Sequence, residues 1–282
     1  MSIIWLIFSK QRNQRANSTD MKLNLTGRKA LVCGSTQGIG RAIAEELAVL
    51  GAELILMARN EDKLKDVVEE LYVHHGVKHN YIVADFDRPN MVKAGIYDYL
   101  GSNDAPTILI NNTGGPAPGI LIEESYEKMD AALKAHLACN HILAQALVPH
   151  MKHQKFGRII NIVSTSVYVP IPGLGVSNTT RAAVAGWAKT LSIELGGYGI
   201  TVNNVLPGLT STDRLDKLIA KQMTDTGKSR IEVEATLNAA TPAGRFGSPE
   251  EVAAMAAFLA TPAAAYINGT SIAVDGGRTG CI

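Results

Sequence analysis

The chain has 282 residues, and 46% of them are hydrophobic, which is enough for one large core. Lysine and arginine total 27 against 26 aspartates and glutamates, so the formal net charge of +1 argues against nucleic acid as the main partner. The three cysteines, Cys33, Cys139 and Cys281, have no metal-ligand spacing. We therefore expect free thiols in a reducing compartment such as the cytoplasm, and no metal site.

The first 20 residues differ in character from the rest of the chain. Residues 3–8 are apolar, but this run is far too short to span a bilayer, so we expect no membrane span. Basic residues at positions 10, 12 and 15 follow the run, whereas a secretory signal carries them before it. We interpret residues 1–20 as an extension ahead of the domain, with Met21 as an alternative start. The competing interpretation is a peripheral membrane anchor.

A glycine-rich loop joins the first predicted strand to the first predicted helix. Residues 29–32 are predicted to form a short buried strand, and residues 41–50 have the apolar spacing of a helix. Between them lie Gly34, Gly38 and Gly40. Such a turn lets the backbone approach a pyrophosphate, to which the helix N-terminus offers free N–H groups and a partial positive charge. The spacing differs from the usual Gly-x-Gly-x-x-Gly fingerprint, and a plain tight turn is the alternative.

Strands and helices then alternate to the end of the chain. Further strands are predicted at 52–57, 80–83, 107–110, 158–163, 200–205 and 271–274. Helices are predicted at 60–71, 91–100, 125–151 and 178–195, and after Ser248, where Glu251 completes a capping box. This alternation predicts an α/β fold: a single Rossmann-type, doubly wound domain over residues 21–282, with a seven-stranded parallel sheet and helices on both faces.

Ligands of doubly wound sheets bind beyond the carboxyl ends of the strands. Polar and glycine-rich residues follow the predicted strands at this edge: Gly34 to Gly40, Arg59, Asp85, Asn111, Ser164 and Pro207. Residues 209–247 form the longest stretch without a predicted strand, and they are polar and partly helical, as at 215–223. A long insertion at the ligand edge is typical of a mobile lid over the substrate.

Five motifs occur in order along the chain. They are Cys33-Gly34-Ser35-Thr36-Gln37-Gly38-Ile39-Gly40, Asn111-Asn112-Thr113-Gly114, Pro207-Gly208, the segment 245–251 and Val274-Asp275-Gly276-Gly277. Together they resemble the motifs of the short-chain dehydrogenase/reductase family. The resemblance covers essentially residues 21–282, and its nearest pattern is that of 3-oxoacyl-carrier-protein reductases and glucose-dehydrogenase-like members. It implies a nicotinamide cofactor and hydride transfer between a carbonyl and a secondary alcohol.

The end of the second predicted strand distinguishes the two nicotinamide cofactors. A carboxylate there accepts hydrogen bonds from the ribose 2′-hydroxyl, but this chain has Ala58 and Arg59. Arg59 can pair with a 2′-phosphate, so we predict NADP(H), the alternative being a solvated arginine. The resemblance implies this cofactor set: Gly34, Ser35, Thr36, Gln37, Gly38, Ile39 and Gly40 at the loop, Arg59 at the phosphate, Asp85 at the adenine, Asn111 and Gly114 by the adenosine ribose, and Arg181, Pro207, Gly208 and Thr212 towards the nicotinamide.

The proton relay that the resemblance implies is altered in this chain. In the family, a serine ends the fifth strand, a tyrosine follows thirteen residues later, a lysine follows four residues after that, and an asparagine lies on the preceding long helix. Ser164 matches the serine, but Ser177, Arg181 and His136 occupy the other three positions. A serine hydroxyl is a far weaker acid than a phenol, and arginine keeps its proton at ordinary pH. We predict Ser164, Ser177 and Arg181 at the nicotinamide end of the cleft, with His136 behind them.

Three side chains are candidates to replace the missing phenol, and one of them, Tyr198, is predicted at a helix-to-strand turn away from the ligand edge and is interpreted as structural. His136 has an ordinary pKa of about 6.5 and could act as an acid, the alternative being a hydrogen-bonded packing histidine. Tyr168 lies four residues after Ser164 in the loop that borders the site, where packing is the alternative to catalysis. With either donor, Ser164 can hydrogen-bond a carbonyl oxygen.

Two functions are compatible with these residues. One is an NADP(H)-dependent oxidoreductase that interconverts a small-molecule carbonyl, such as a 3-oxoacyl group, and a secondary alcohol. The other is a catalytically silent NADP(H)-binding sensor or assembly protein. The predicted helices at 125–151 and 178–195 carry more apolar residues than one sheet face needs, and family members commonly pair these helices. We therefore predict a homo-oligomer of closed symmetry, a tetramer.

Overall fold

The computed structural model describes residues 21–281, so the interpretation of residues 1–20 lies outside the described residues. The strands are β1 Lys29–Cys33, β2 Glu53–Ala58, β3 Asn80–Val83, β4 Ile108–Asn111, β5 Gly157–Ile162, β6 Ile200–Pro207 and β7 Ser271–Val274. They form one parallel sheet in the order β3-β2-β1-β4-β5-β6-β7. The strand order reverses direction beside β1, which is where doubly wound folds bind ligands.

Helices cover both faces of the sheet. They are α1 Gly38–Val49, α2 Glu61–His75, α3 Pro89–Leu100, α4 Tyr126–Leu133, α5 Cys139–Gln154, α6 Gly175–Leu195, α7 Asp213–Thr226, α8 Arg230–Ala239 and α9 Pro249–Ala260. Helices α1, α2 and α9 pack on one face, and α3, α5 and α6 pack on the other. The predicted fold class is confirmed. Within residues 21–281, no helix combines the length and the apolar character needed to cross a bilayer.

Strand β1 shows how the sequence fills both faces. Its alternate residues Ala30 and Val32 belong to one apolar core, and Leu31 and Cys33 belong to the other. All four side chains are fully buried, because a parallel sheet covered on both faces leaves no side of a central strand exposed to solvent. This burial explains why the central strands are continuous apolar runs rather than alternating ones.

The predicted long helix at 125–151 is interrupted. Between α4 and α5, Lys134–Ala138 forms a π-helical turn in which His136 is buried. A π turn accommodates an additional residue within a helix, and such turns occur frequently at functional sites. One extra residue barely changes the apolar spacing from which a continuous helix was predicted, so the π turn was missed. The predicted capping box of Ser248 and Glu251 at the start of α9 is present.

Residues 209–247, called here the lid segment, leave the sheet after β6 and return beside their starting point. Thr210 pairs with Gly247 in a parallel bridge, and the Gly247 N–H donates to the Leu209 carbonyl at 2.9 Å. Helices α7 and α8 pack together through a small apolar cluster: Leu215, Ile219, Val233 and Leu237. The second helix, α8, was not predicted. The mobility expected of this segment stays a prediction.

Candidate functional site

The loop between β1 and α1 brings backbone N–H groups to the carboxyl edge of the sheet. Gly34 has a φ of +59°, a left-handed conformation that other residues rarely adopt. Gly40 packs so tightly that an added Cβ would lie 2.1 Å from the Gly34 carbonyl oxygen. No side chain caps the first turn of α1, so its N–H groups are available to an anion.

Asn112 fastens this loop to the end of β4. Its Nδ2 donates to the carbonyl oxygens of Cys33 and Gly34, both at 3.2 Å. Beside it, the buried Ser35 Oγ has no hydrogen-bond partner among the described residues. The loop with Gly34, Gly38 and Gly40 is called here the glycine cradle. Together with the free N–H groups of α1 and the unsatisfied Ser35 hydroxyl, it fits the pyrophosphate of a dinucleotide.

The start of α7 covers the glycine loop. Thr212 precedes the helix, and its Cγ2 lies 3.3 Å from the position of an added Cβ on Gly38. Asp213 Oδ2 accepts a hydrogen bond from Gln37 Nε2 at 3.2 Å, and Lys63 Nζ donates to Gln37 Oε1 at 3.5 Å. The structure therefore brings Thr212 to the glycine loop, and its role towards the nicotinamide stays a prediction. It also brings Lys63 there, a residue that no sequence motif singled out because it lies in a separate helix.

Arg59 and Asp85 follow the neighbouring parallel strands β2 and β3, so both lie at the carboxyl edge. Arg59 is exposed, and it forms no ion pair with the acidic side chains of residues 21–281. The Oδ1 of Asp85 accepts a hydrogen bond from the Asp87 N–H at 3.1 Å. This turn fixes Asp85 just beyond its strand. The roles of both residues toward a cofactor stay predictions.

Three asparagines and a serine form a hydrogen-bonded ladder across β4, β5, β6 and β7. Asn111 Nδ2 donates to Asn161 Oδ1 at 2.8 Å, and Asn161 Nδ2 donates to Asn204 Oδ1 at 2.9 Å. Asn204 Nδ2 then donates to Ser271 Oγ at 3.0 Å. The three asparagines are buried, and Asn111 Oδ1 has no partner within the described part of the chain. The ladder holds the four strands in one register, from the carboxyl ends of β4 and β5 to the middle of β6 and the first residue of β7.

The lid segment begins at a close contact between β6 and the end of β7. Pro207 ends β6, and the Gly208 N–H donates to the Val274 carbonyl oxygen at 3.0 Å. A Cβ on Gly208 would lie 2.7 Å from Asp275 Cα. This close approach requires glycine, and it fixes the point at which the lid segment leaves the sheet.

Arg181 of α6 is buried at the ends of β4 and β5. Its Nη1 donates to the Ile162 carbonyl oxygen at 2.8 Å, and its Nη2 donates to the Thr113 carbonyl oxygen at 3.4 Å. Burial, followed by the nearby charge of Arg214, lowers the pKa of Arg181. The guanidinium nevertheless stays protonated at neutral pH. Arg181 therefore places a fixed positive charge at the carboxyl edge.

His136 lies beside this charge. Its Nδ1 is 2.5 Å from Thr113 Oγ1, and the ring is buried. Burial lowers the pKa of His136 to about 2, with further lowering by Arg181 and Arg214, while a backbone hydrogen bond with Gly114 acts in the opposite direction. Burial first, and then the charges of two arginines that are distant in sequence, disfavour the protonated form of His136, and its role as an acid stays a prediction. The ring is neutral at pH 7.

The three candidate hydroxyls differ in their surroundings. Ser164 follows β5, and its Oγ accepts a hydrogen bond from a backbone N–H two residues later, which leaves its own proton free to donate. Ser177 is buried in the first turn of α6. The Tyr168 hydroxyl donates to the Ser271 carbonyl oxygen in β7. Because that proton is engaged, the contact favours the packing alternative for Tyr168.

Arg214, in the first turn of α7, was not predicted as a site residue. Its guanidinium lies against Gly115 in the loop after β4, where an added Cβ would be 2.2 Å from Nη1. Arg214 is an exposed residue, but partial burial of its guanidinium lowers its pKa. Its charge also acts on Arg181 and His136. The only signal in the sequence was its position in the predicted lid, two residues after Thr212.

Comparisons with known proteins agree with this architecture. A family model described as enoyl-(acyl carrier protein) reductase matches residues 34–279. The 3-oxoacyl-[acyl-carrier-protein] reductase of Aquifex aeolicus is 33% identical over 257 residues, which cover 91% of this chain and 99% of that protein. The NADPH-dependent reductase BacG of Bacillus subtilis is 34% identical over 254 residues, which cover 90% of this chain and 98% of that protein.

A solved structure shows the same fold. The L-sorbose reductase of Gluconobacter frateurii, in complex with NADPH and L-sorbose, matches with a TM-score of 0.87 and 31% identity. The match covers 93% of this chain and 100% of that one. The five motifs, the sheet order and these matches confirm the resemblance found in the sequence. The chain belongs to the short-chain dehydrogenase/reductase family of oxidoreductases.

Proposed function

We propose that this protein is an NADP(H)-dependent oxidoreductase that interconverts a carbonyl and a secondary alcohol. The observation that carries the proposal is the glycine cradle, with its uncapped helix and unsatisfied Ser35 hydroxyl, next to a polar cluster at the same sheet edge. Support also comes from the relatives, since BacG is NADPH-dependent and the L-sorbose reductase was solved with NADPH. The free thiols of Cys33, Cys139 and Cys281 support a reducing, cytoplasmic setting.

Different residues at the carboxyl edge of the sheet would bind different parts of the cofactor. The glycine loop would hold the pyrophosphate, Arg59 the 2′-phosphate, and Asp85 the adenine. Asn111 and Gly114 would lie by the adenosine ribose, whereas Arg181, Pro207, Gly208 and Thr212 would lie toward the nicotinamide. When bound, the nicotinamide supplies or accepts the hydride.

The protein's own groups would then manage charge and protons at the substrate oxygen. Ser164 has a free proton and can donate a hydrogen bond to a carbonyl. The fixed charge of Arg181 stabilises an alkoxide that develops nearby. The neutral ring of His136 and the hydroxyl of Thr113 form a hydrogen-bonded pair that can pass a proton without carrying charge. Ser177 would complete the pocket lining as a weak acid.

The competing proposal is a catalytically silent NADP(H)-binding protein. It is favoured by the hydrogen bonds of two site residues: Arg181 donates to two backbone carbonyls, and the Tyr168 hydroxyl donates to Ser271. In this version the site keeps its cofactor but lacks an efficient acid. Replacing Ser177 by tyrosine together with Arg181 by lysine would then create measurable reductase activity.

Oxidation of NADPH separates the two proposals. We would screen carbonyl compounds with purified protein and follow the loss of NADPH absorbance. An oxidoreductase turns over at least one class of carbonyl compound, and Ser164→Ala lowers that turnover about 10²-fold or more, the usual scale for loss of one hydrogen-bond donor to a developing oxyanion. Lys217→Ala, on the exposed face of α7, is the matched control and is expected to leave the turnover unchanged. Tight NADPH binding without turnover of any carbonyl supports the silent protein.

The cofactor preference gives a direct prediction. NADPH is expected to bind more tightly than NADH. Arg59→Ala is expected to reduce the ratio of the NADH to the NADPH dissociation constant about tenfold, because one charge-assisted contact to the 2′-phosphate is lost. Dissociation constants measured by fluorescence titration provide the check. Lys65→Ala is the control, since Lys65 is exposed in α2 and pairs with Glu61. Equal affinities for the two cofactors in the unmutated protein would contradict the prediction.

The homotetramer that we propose gives a second prediction. Leu137 lies in an exposed apolar depression between the π turn and α6, which is lined by Leu133, Lys134, Leu137, Ala138, His141 and Trp187. Covering such a surface with a second copy would remove it from water. Leu137→Glu is therefore expected to reduce the mass measured by light scattering. Ile231→Glu, an exposed change on α8, is the control. An unmutated monomer of 30.1 kDa would refute the oligomer.

A further inference from the structure

Arg214 is a cation without an acidic partner. The first turn of α7 carries two carboxylates, but both are occupied elsewhere: Asp213 accepts from Gln37, and Asp216 accepts from Arg230. Among residues 21–281, no carboxylate bonds to the Arg214 guanidinium. Five N–H donors of a planar fork are thus free to bind a ligand.

The Arg214 side chain is exposed, and its guanidinium lies against the loop after β4. It rests against Gly115, two residues after Thr113, which hydrogen-bonds both Arg181 and His136. Arg181 is a second positive charge in this cluster, and its hydrogen bonds go to neutral carbonyl groups. The cluster therefore has two positive charges, a neutral imidazole and no compensating carboxylate among the described residues. Such a field attracts an anion.

We propose that the substrate carries a carboxylate and that Arg214 binds it bidentately, while Arg181 supplies a fixed positive charge behind it. This proposal rests on the proposed function. Arginine suits this task because its planar fork matches the two oxygens of a carboxylate. The substrate class is then an oxo acid or hydroxy acid. Because α7 belongs to the lid segment, the same contact ties the lid to the substrate.

The position of Arg214 separates this subsite from the cofactor cradle. Thr212 and Asp213 contact the glycine loop through Gly38 and Gln37. Arg214, the next residue, instead contacts the loop after β4. The lid helix thus meets the cradle with one part of its first turn and the candidate anion subsite with another. When the cradle holds the pyrophosphate, Arg214 is therefore still free to bind the substrate.

The test uses a charged ligand and its neutral analogue. Acetoacetate and methyl acetoacetate would be titrated by calorimetry into protein saturated with NADP⁺, where no hydride is available and no turnover occurs. The unmutated protein is expected to bind the acid at least about tenfold more tightly than the ester. Arg214→Leu is expected to remove that preference, and Arg214→Lys to keep part of it. Lys217→Leu, on the same helix, is the matched control and retains the full preference.

Several outcomes would overturn the subsite. They are no measurable binding of acetoacetate, equal binding of acid and ester, or an unchanged preference in Arg214→Leu. A tenfold loss of NADP⁺ affinity in Arg214→Leu would also overturn it, by assigning the arginine to the cofactor. If NADP⁺ does not bind, the same titrations are run on the protein alone. An acid preference without any NADPH oxidation leaves the subsite standing while the proposed reaction fails.

Discussion

Replacement of Gly40 by alanine is expected to lower NADPH affinity at least about hundredfold, a loss of about 2.7 kcal/mol. The new Cβ would lie 2.1 Å from the Gly34 carbonyl oxygen and 2.5 Å from Asn112 Nδ2. The first of these atoms belongs to the backbone and the second is held by two hydrogen bonds, so neither moves without opening the loop. The cradle would lose the shape that admits a pyrophosphate. Fluorescence titration of NADPH measures the effect.

Gly101→Ala is the matched control for this experiment. Gly101 caps α3 at the opposite end of the sheet with a φ of −64°, and its nearest contact to an added Cβ is 3.4 Å. Alanine fits there without strain, so NADPH affinity should stay within about twofold of the unmutated value. A Gly40→Ala protein that binds NADPH as well as the control would show that this loop does not hold the cofactor.

Replacement of Asn161 by leucine is expected to lower the free energy of unfolding by about 2–4 kcal/mol. Asn161 is fully buried and occupies the middle of the amide ladder. Leucine has a similar volume, but it leaves Asn111 Nδ2 without its acceptor and Asn204 Oδ1 without its donor. Each unsatisfied buried group costs about 1–3 kcal/mol. Urea-induced unfolding at a fixed protein concentration provides the measurement.

Asn80→Leu tests whether the ladder, rather than asparagine in a strand, accounts for that loss. Asn80 begins β3 and is exposed. Its replacement is expected to change the unfolding free energy by less than about 0.5 kcal/mol, as is usual for surface positions. A similar loss in both variants, or no loss in either, would contradict the stabilising role of the ladder.

The sequence predicted the fold because its signals are local. A strand, glycines and a helix follow one another between residues 29 and 50, and the capping box before α9 is contained within four residues. The π turn at Lys134–Ala138 was missed for a related reason: one additional residue barely changes a helical pattern. Helix α8 was missed because the lid segment is polar and its apolar residues pack mainly against α7.

The candidate site was less predictable, because its properties depend on residues that are distant in sequence. The motif pattern identified His136 and Arg181, but it did not show the burial and the arginine charges that keep His136 neutral. Arg214 lies 33 positions after Arg181 in the numbering, in a segment without a readable motif. Only the folded lid brings it to Gly115. Electrostatics of this kind emerges from tertiary structure and has no local pattern.

The closed base of the lid segment has a consequence for how this protein can change over evolution. The two ends of the segment meet where Thr210 pairs with Gly247, and α7 and α8 have an apolar cluster of their own. An insertion with adjoining ends can be lengthened, shortened or exchanged without altering the register of any strand. Beyond Thr212 and Asp213, which contact the glycine loop, its residues can therefore diverge while the sheet and that loop stay constant. Under the proposed function, this modularity would let substrate choice change separately from the scaffold that holds the cofactor.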